Sequence, residues 1–238
     1  MNLVRRQLAA SPLLARGAPF ALFVALTFCQ GRFGDTSRYW FYFAKTIVGA
    51  WMLWWMRPLV EEMRWKFSWE AVAVGVGVFG MWIGLDDFYP RGDRLLSYLG
   101  LARAKSEAEL AVESWNPQAR FGQASTLAWV FIVARVLGSS LVVPPLEEVF
   151  YRSLLYRYIA KADFQSVPLG RFIWAPFLLT SVVFGSAHRE WLAGILCGLA
   201  YQELVCWKKR LGDAITAHAI TNFLLGVWVV WRGAWQFW

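Results

Sequence analysis

Histidine is nearly missing from this chain: His188 and His218 are the only two among 238 residues. That scarcity excludes the membrane di-iron oxygenases, which need many more. Neither histidine belongs to a His-Glu-x-x-His zincin pair, and neither of the adjacent glutamates Glu147 and Glu148 has a histidine three residues later, as di-iron bundles require. Cysteine is equally sparse. Cys29, Cys197 and Cys206 all sit in apolar segments and read as packing residues, because a disulfide framework wants a short, cysteine-dense secreted chain. Gly138-Ser139-Ser140 lacks the Gly-x-Ser-x-Gly elbow of serine hydrolases. No glycine-rich phosphate loop leads into a Lys-Ser or Lys-Thr pair, and no internal repeat or inverted half is visible. Charged residues make up only 17%. The net charge of +8 comes with no basic run interleaved with a soluble fold, so no nucleic-acid partner is expected.

What is abundant is apolar surface. Hydrophobic residues account for 58% of the chain and tryptophan alone for 16 positions. Soluble domains run nearer 45–50% apolar, so the expected class is an all-α, polytopic membrane protein of seven or eight transmembrane helices, with membrane lipid as its first partner. Arg5, Arg6 and Arg16 precede an apolar run from Ala18 to Cys29 that resembles a secretory signal, but Thr27-Phe28-Cys29-Gln30 lacks the small residues of a cleavage site, so it reads as a retained first helix. Further spans are expected near Tyr39–Met56, Trp69–Leu85, Leu127–Val143 (leading into a Glu147-Glu148 helix that continues to about Ala160), Phe172–His188, Trp191–Trp207 and Ala214–Trp231. Lys45 in the second snorkels or faces the bundle. Gly75, Gly77, Gly80 and Gly84 in the third are small residues suited to close helix contact. Trp40, Trp51, Trp54, Trp55, Trp228, Trp231, Trp235 and Trp238 read as interface anchors.

Asp86 to Gly122 is the one long hydrophilic segment and reads as a solvated loop, although Leu110, Val112 and Trp115 could make its middle a surface helix. Residues 1–123, the N-terminal helices with this loop, thus separate from a C-terminal helical core at 124–231. With the N-terminus cytoplasmic, the inner loops carry 13 basic residues (Arg5, Arg6, Arg16; Arg57, Arg64, Lys66; Arg152, Arg157, Lys161, Arg171; Lys208, Lys209, Arg210) against Arg32, Arg38, Arg189 and Arg232 outside. The expected place is a bacterial inner membrane.

Chemistry concentrates around Val143-Pro144-Pro145-Leu146-Glu147-Glu148-Val149-Phe150-Tyr151-Arg152. An ionisable group in a span is costly and marks a functional site by default. Two adjacent carboxylates force at least one pKa upward. On a helix Glu148 and Arg152 share a face and can pair, which leaves Glu147 freer for chemistry, with Tyr151 four residues on as a hydrogen-bond candidate. The two prolines cannot donate backbone hydrogen bonds, so the helix bends and opens there. Glu61-Glu62 repeats the dipeptide in a polar, basic loop and reads as solvated surface. Arg135, inside the fourth span, either pairs with Glu147 or Glu148 or snorkels.

Phe184-Gly185-Ser186-Ala187-His188 closes the fifth run, and His218-Ala219-Ile220-Thr221-Asn222 lies in the seventh. His218 and Asn222 are four apart and can address one substrate oxygen. A lone histidine in a span is more often a satisfied interhelical hydrogen bond. The case here rests on both histidines and the paired glutamates falling in the same C-terminal half. Counting along the spans puts Glu147 and His218 near the inner face and His188 near the outer one. A single site therefore requires either a dipping Glu147 helix or a displaced fifth helix.

These three motifs, Glu-Glu-x-x-x-Arg, Phe-x-x-x-His and His-x-x-x-Asn, in this order over about residues 124–231, resemble the CAAX-protease and bacteriocin-processing (Abi) family, that of the Ras-converting prenyl-protein endoprotease. The Pro-Pro-Leu-Glu-Glu form also resembles bacterial CAAX prenyl protease-related proteins of exosortase systems. The N-terminal 120 residues match only in being helical. The resemblance implies an intramembrane endopeptidase acting on a membrane-associated protein or peptide. Its catalytic set would be Glu147, Glu148, His188, His218 and Asn222. In that set Glu147 is general base, His188 orients the water, and His218 with Asn222 forms the oxyanion hole. Arg152, Phe184 and Arg135 would be structural support. A zinc version with Glu147, His188 and His218 as ligands stays open beside a metal-independent one. Two rivals also stand: a non-catalytic scaffold or immunity-type binder of the same family, and a transporter, which the lack of inverted repeats disfavours.

Overall fold

The computed structural model describes residues 10–103, 106, 109 and 114–238. Among them every regular element is helical, and seven helices dominate: α1 (Pro12–Phe28), α2 (Ser37–Met56), α3 (Trp69–Gly84), α4 (Thr126–Ala160), α5 (Trp174–Ser186), α6 (Trp191–Lys208) and α7 (Gly212–Arg232). Two of them, α4 and α7, are long and apolar enough to cross a membrane by length and composition, while α1, α3 and α5 are apolar but shorter. The polar segment after α3 holds short helices at Gly92–Tyr98 and Pro117–Phe121. Lys105, Glu107, Leu110, Val112 and Glu113 in that segment, and Arg5 and Arg6 at the start, lie outside the described residues.

Helix ends follow local chemistry. The Ser11 hydroxyl accepts from the Leu14 N–H with Pro12 in the first turn, and Ser68 does the same for Ala71, so each cap satisfies one orphan donor. Gly233, at φ 64°, closes α7 in the left-handed conformation that glycine adopts without a Cβ penalty.

The length of α4 and the shortness of α5 settle the depth conflict in the sequence. α4 continues 35 residues without a break, so Glu147 lies mid-helix, 13 residues before Ala160, or about 20 Å at about 1.5 Å per residue. α5 has only 13 residues, and His188 follows its first residue by about 21 Å on the same scale. The loop 161–173 joins these two ends, so Glu147 and His188 reach the same level.

Close backbone contact locks the bundle at a few positions. On the α5–α6 hairpin, a Cβ at Gly194 would stand 2.9 Å from the Gly185 Cα, and one at Gly198 would stand 2.9 Å from the Ser181 Cα. Of the four glycines on α3 only Gly75 meets a neighbour, the Ala217 carbonyl and Ile220 of α7, whereas Gly77, Gly80 and Gly84 face open space. The α2–α3 loop rests on the start of α7. A Cβ on Gly212 would lie 2.1 Å from the Arg64 carbonyl oxygen, and the Thr216 hydroxyl donates to the Lys66 carbonyl at 2.8 Å.

Glu62 corrects the reading of Glu61-Glu62 as solvated. Its carboxylate accepts from Arg16 at 2.9 and 3.0 Å, from Arg157 at 3.0 Å and from the Ser153 hydroxyl, joining α1, α4 and the α2–α3 loop. Arg16 and Arg157 are therefore buried structural cations, not free surface charges. Sequence separations of 46 and 95 residues leave no local signal for this cluster. Lys45 faces the bundle: its ammonium donates to the Thr27 hydroxyl at 2.9 Å and sits over the Phe23 and Tyr42 rings.

Burial pushes the Glu62 carboxyl upward, but hydrogen bonds from Ser153 and Arg16 and the Arg16 charge outweigh it, so it titrates below the usual glutamate range. Its stabilisation is thus present above the unfolded value and is lost as pH falls through the lowered one. Glu62→Gln should lower the melting temperature at pH 7, with the gap to wild type closing below about pH 4; a gap independent of pH would remove the charge from the account. Gly212→Ala should destabilise by about 1–3 kcal/mol through overpacking against backbone. Gly77→Ala and Gly80→Ala should be neutral or stabilising by up to about 1 kcal/mol, measured by thermal unfolding in detergent.

Candidate active site in the bundle interior

The irregularity of α4 begins with its prolines. Val143 N–H bonds back to the Gly138 carbonyl, closing a π turn over Gly138–Val142. In that i→i+5 pattern the next donor would be residue 144 reaching the Ser139 carbonyl, but Pro144 has no N–H. Asn222 of α7 supplies the missing donor, its Nδ2 lying 2.8 Å from the Ser139 oxygen. An acceptor partner fixes which end of the amide faces Ser139, and it engages one of the two amide hydrogens. The prolines are absorbed by this turn and by a second π turn at Val149–Leu155.

The π turn also sets which side chains share a wall. Arg135, Ser139, Val143 and Glu147 line one cavity although they recur every four residues. In a regular helix twelve residues would leave Arg135 and Glu147 about 120° apart. A turn that absorbs about one extra residue cuts the offset to about 20°, close to one face.

Glu148, the second carboxylate, is fully buried. One of its oxygens accepts from His218 Nδ1 at 3.0 Å, and the other lies 3.2 Å from Arg152 Nε. Arg152 donates to the Gly198 carbonyl at 3.2 Å and packs its guanidinium 4.5 Å from the centre of the Phe184 ring. The Tyr201 ring stacks on His218 at 5.1 Å, and its hydroxyl donates to Thr221 Oγ1 at 2.7 Å; that hydroxyl in turn lies 2.9 Å from the Gly75 carbonyl. His218 is thus fixed at Nδ1 by Glu148 and on one face by Tyr201. Tyr201 was not legible in the sequence, because nothing local marks a tyrosine on α6 as the partner of a histidine on α7.

Glu147 points the other way, into the cavity. Its Oε2 lies 4.0 Å from His218 Nε2 and has no hydrogen-bond partner among the described residues. The expected bond from Tyr151 is absent among them; that ring packs on Phe20, Phe150 and Phe184. His188 donates Nδ1–H to the Phe184 carbonyl at 2.9 Å in its neutral form, which leaves Nε2 with a lone pair. Phe184 lies beneath it at 4.9 Å and Trp82 meets its edge at 5.4 Å. The cavity, about 220 Å³, gathers Glu147, His188, His218, Asn222, Arg135 and Glu190 with apolar walls from Trp82, Leu225 and Phe237. Burial pushes the Glu190 carboxyl upward.

Two expectations, for Arg135 and for Trp238, need correction. Arg135 pairs with neither glutamate and does not snorkel; its guanidinium lies over the Tyr42, Trp115 and Trp238 rings at 4.7, 4.5 and 5.2 Å. Trp238 is correspondingly a cavity wall, not an interface anchor. As for zinc, no group of three or more His, Cys, Asp or Glu side chains among the described residues is arranged to hold a metal ion. Glu147, His188 and His218, the ligands a zinc version would use, line the same cavity.

Residues 127–224 match the family model Rce1-like, described as type II CAAX prenyl endopeptidase Rce1-like, and this segment is similar to the protease family that the three motifs resemble. No curated protein and no solved structure matches the chain. The matched segment contains Glu147, Glu148, Arg152, Phe184, His188, His218 and Asn222.

Arg152→Met should destabilise strongly, by about 3–5 kcal/mol, because it leaves the Glu148 charge buried without its counter-charge. The double variant Glu148→Gln/Arg152→Met should recover much of that loss in a thermal-unfolding series. Equal melting temperatures for the single and double variants would contradict the pairing.

Proposed function

We propose that this chain, through its Rce1-like segment, is an intramembrane endopeptidase that hydrolyses a peptide bond of a membrane-associated protein or peptide. The observation that carries the reading is the division of labour between adjacent glutamates. Glu148 is consumed by Arg152 and His218, while Glu147 keeps an unpartnered carboxylate oxygen in a cavity that also holds both histidines.

A water between Glu147 and His188 would donate a hydrogen bond to each, His188 accepting at Nε2 while the second hydrogen stays on the water oxygen. Glu147 takes the proton as the water oxygen attacks the scissile carbonyl carbon, and then delivers it to the leaving amine. The oxyanion of the tetrahedral intermediate is met by the second Asn222 amide hydrogen and by His218 Nε2–H. That second donor requires a proton on both His218 ring nitrogens, with Glu148 on one side and Glu147 on the other. Each oxyanion donor is typically worth about 3–4 kcal/mol. No step uses a metal ion.

The placement in a membrane is supported by an inside-out distribution of polarity, and a bacterial inner membrane with a cytoplasmic N-terminus is the setting proposed for it. Glu148, Arg152, Gln202, Asp213 and His218 are buried, while Val133, Leu137, Leu141, Leu178, Val182 and Val227 are exposed on the helix exteriors. Apolar faces this extensive belong against lipid. The basic residues at one end of the helices orient it.

Glu147→Gln should reduce peptide cleavage by at least about 10²-fold while the protein stays folded, since Oε2 has no hydrogen bond to lose. The assay is a peptide-library screen on detergent-purified protein, with new termini read by mass spectrometry. Cleavage retained by Glu147→Gln would overturn its role. Cleavage absent from wild type would favour the non-catalytic binder.

A further inference from the structure

The proposed chemistry leaves one acidic and one basic wall residue unused, Glu190 and Arg135. Arg135 lines the same cavity as Glu147, and among the described residues its side chain has neither a hydrogen bond nor a carboxylate partner. Lys45, the nearest other cation on α2, is occupied by Thr27 and two rings and does not line the cavity. A guanidinium carries five N–H donors in a planar fork matched to carboxylate. The three rings around Arg135 stabilise its charge through their faces without consuming any of those donors. They also hold it in place, which lowers the ordering cost of binding. An arginine serving only as a bundle staple would have its donors spent on backbone or carboxylate, as Arg16, Arg152 and Arg157 do.

We infer that Arg135 is a specificity-determining subsite that seats a carboxylate of the substrate on the cavity wall shared with Glu147. The inference rests on reading the cavity as a peptide site. Twelve residues of α4 separate the two backbone positions, about 18 Å along the axis. About five extended peptide residues, at up to about 3.6 Å each, cover that distance. The carboxylate therefore lies several residues from the scissile bond, on the side of the cavity formed by Tyr42 and Trp238. Two sources share this chemistry, a free α-carboxylate and an aspartate or glutamate side chain.

The test is retention of randomised octapeptides by immobilised full-length protein carrying Glu147→Gln, which blocks turnover. One pool ends in the free acid and the other in the amide, and retained peptides are sequenced by mass spectrometry. A terminal-carboxylate subsite should favour the acid pool at least tenfold. A side-chain subsite should instead enrich Asp or Glu at a fixed position in both pools. Adding Arg135→Gln should abolish either preference, and Arg135→Lys should keep part of it. A general folding defect lowers retention of both pools without altering their ratio. Should Arg135→Gln not fold, phenylglyoxal labelling of Arg135 in the otherwise unaltered Glu147→Gln protein replaces it, with protection expected from the retained peptides only. Equal retention of all peptides, no retention, or a preference that survives Arg135→Gln overturns the subsite. A wild-type protein that cleaves nothing while the preference stands would sink the endopeptidase reading and leave the subsite intact.

Discussion

The buried carboxylate of Glu148 is the group on which the rest of the site depends. It carries no exposed surface and lies between Arg152, one turn along its own helix, and His218 on α7. A lone charge in that place would cost several kcal/mol, so the arginine is obligatory. Arg152 needs its own surroundings, the Phe184 ring and the Gly198 carbonyl, and these draw α5 and α6 onto α4. One electrostatic requirement thereby ties four helices together and orients the imidazole that faces Glu147.

Glu147 and Glu148 are neighbours in sequence with opposite environments. On a helix adjacent residues point about 100° apart, so one side chain enters the packed interior and the other the cavity. The second is the carboxylate available for chemistry. Its position relative to Arg135 and Ser139 follows from a backbone irregularity, because the π turn before Pro144 brings a four-residue repeat onto one wall. Asn222 makes that turn tenable by capping the carbonyl that proline cannot serve. The same asparagine thus has a structural hydrogen bond and one amide hydrogen left for the proposed oxyanion.

Away from the cavity, the bundle is held by a few positions where backbone meets backbone and by one buried ionic cluster. Gly194, Gly198 and Gly212 permit approaches that any side chain would block. Glu62 joins α1 to α4 through two arginines and a serine. These contacts leave the helix exteriors free to present leucine, valine and tryptophan.

Helical class, the approximate positions of the seven helices and the motif residues of the candidate site were legible in the chain itself. Apolar run length and the four-residue spacings of Glu148 with Arg152, and of His218 with Asn222, are local properties that need no knowledge of neighbours. What tertiary structure decided was everything set by contacts across the chain. The length of α4 and the shortness of α5 bring His188 level with Glu147. Arg135 turned from both glutamates toward three aromatic rings, two of them distant in sequence. Glu62 proved half-buried and ion-paired where Glu61 is exposed, and only one glycine of four on α3 found a partner. In each case the side chain's identity was plain, but its environment was not. Burial and charge pairing depend on which helix lies opposite, and a one-dimensional pattern does not encode that.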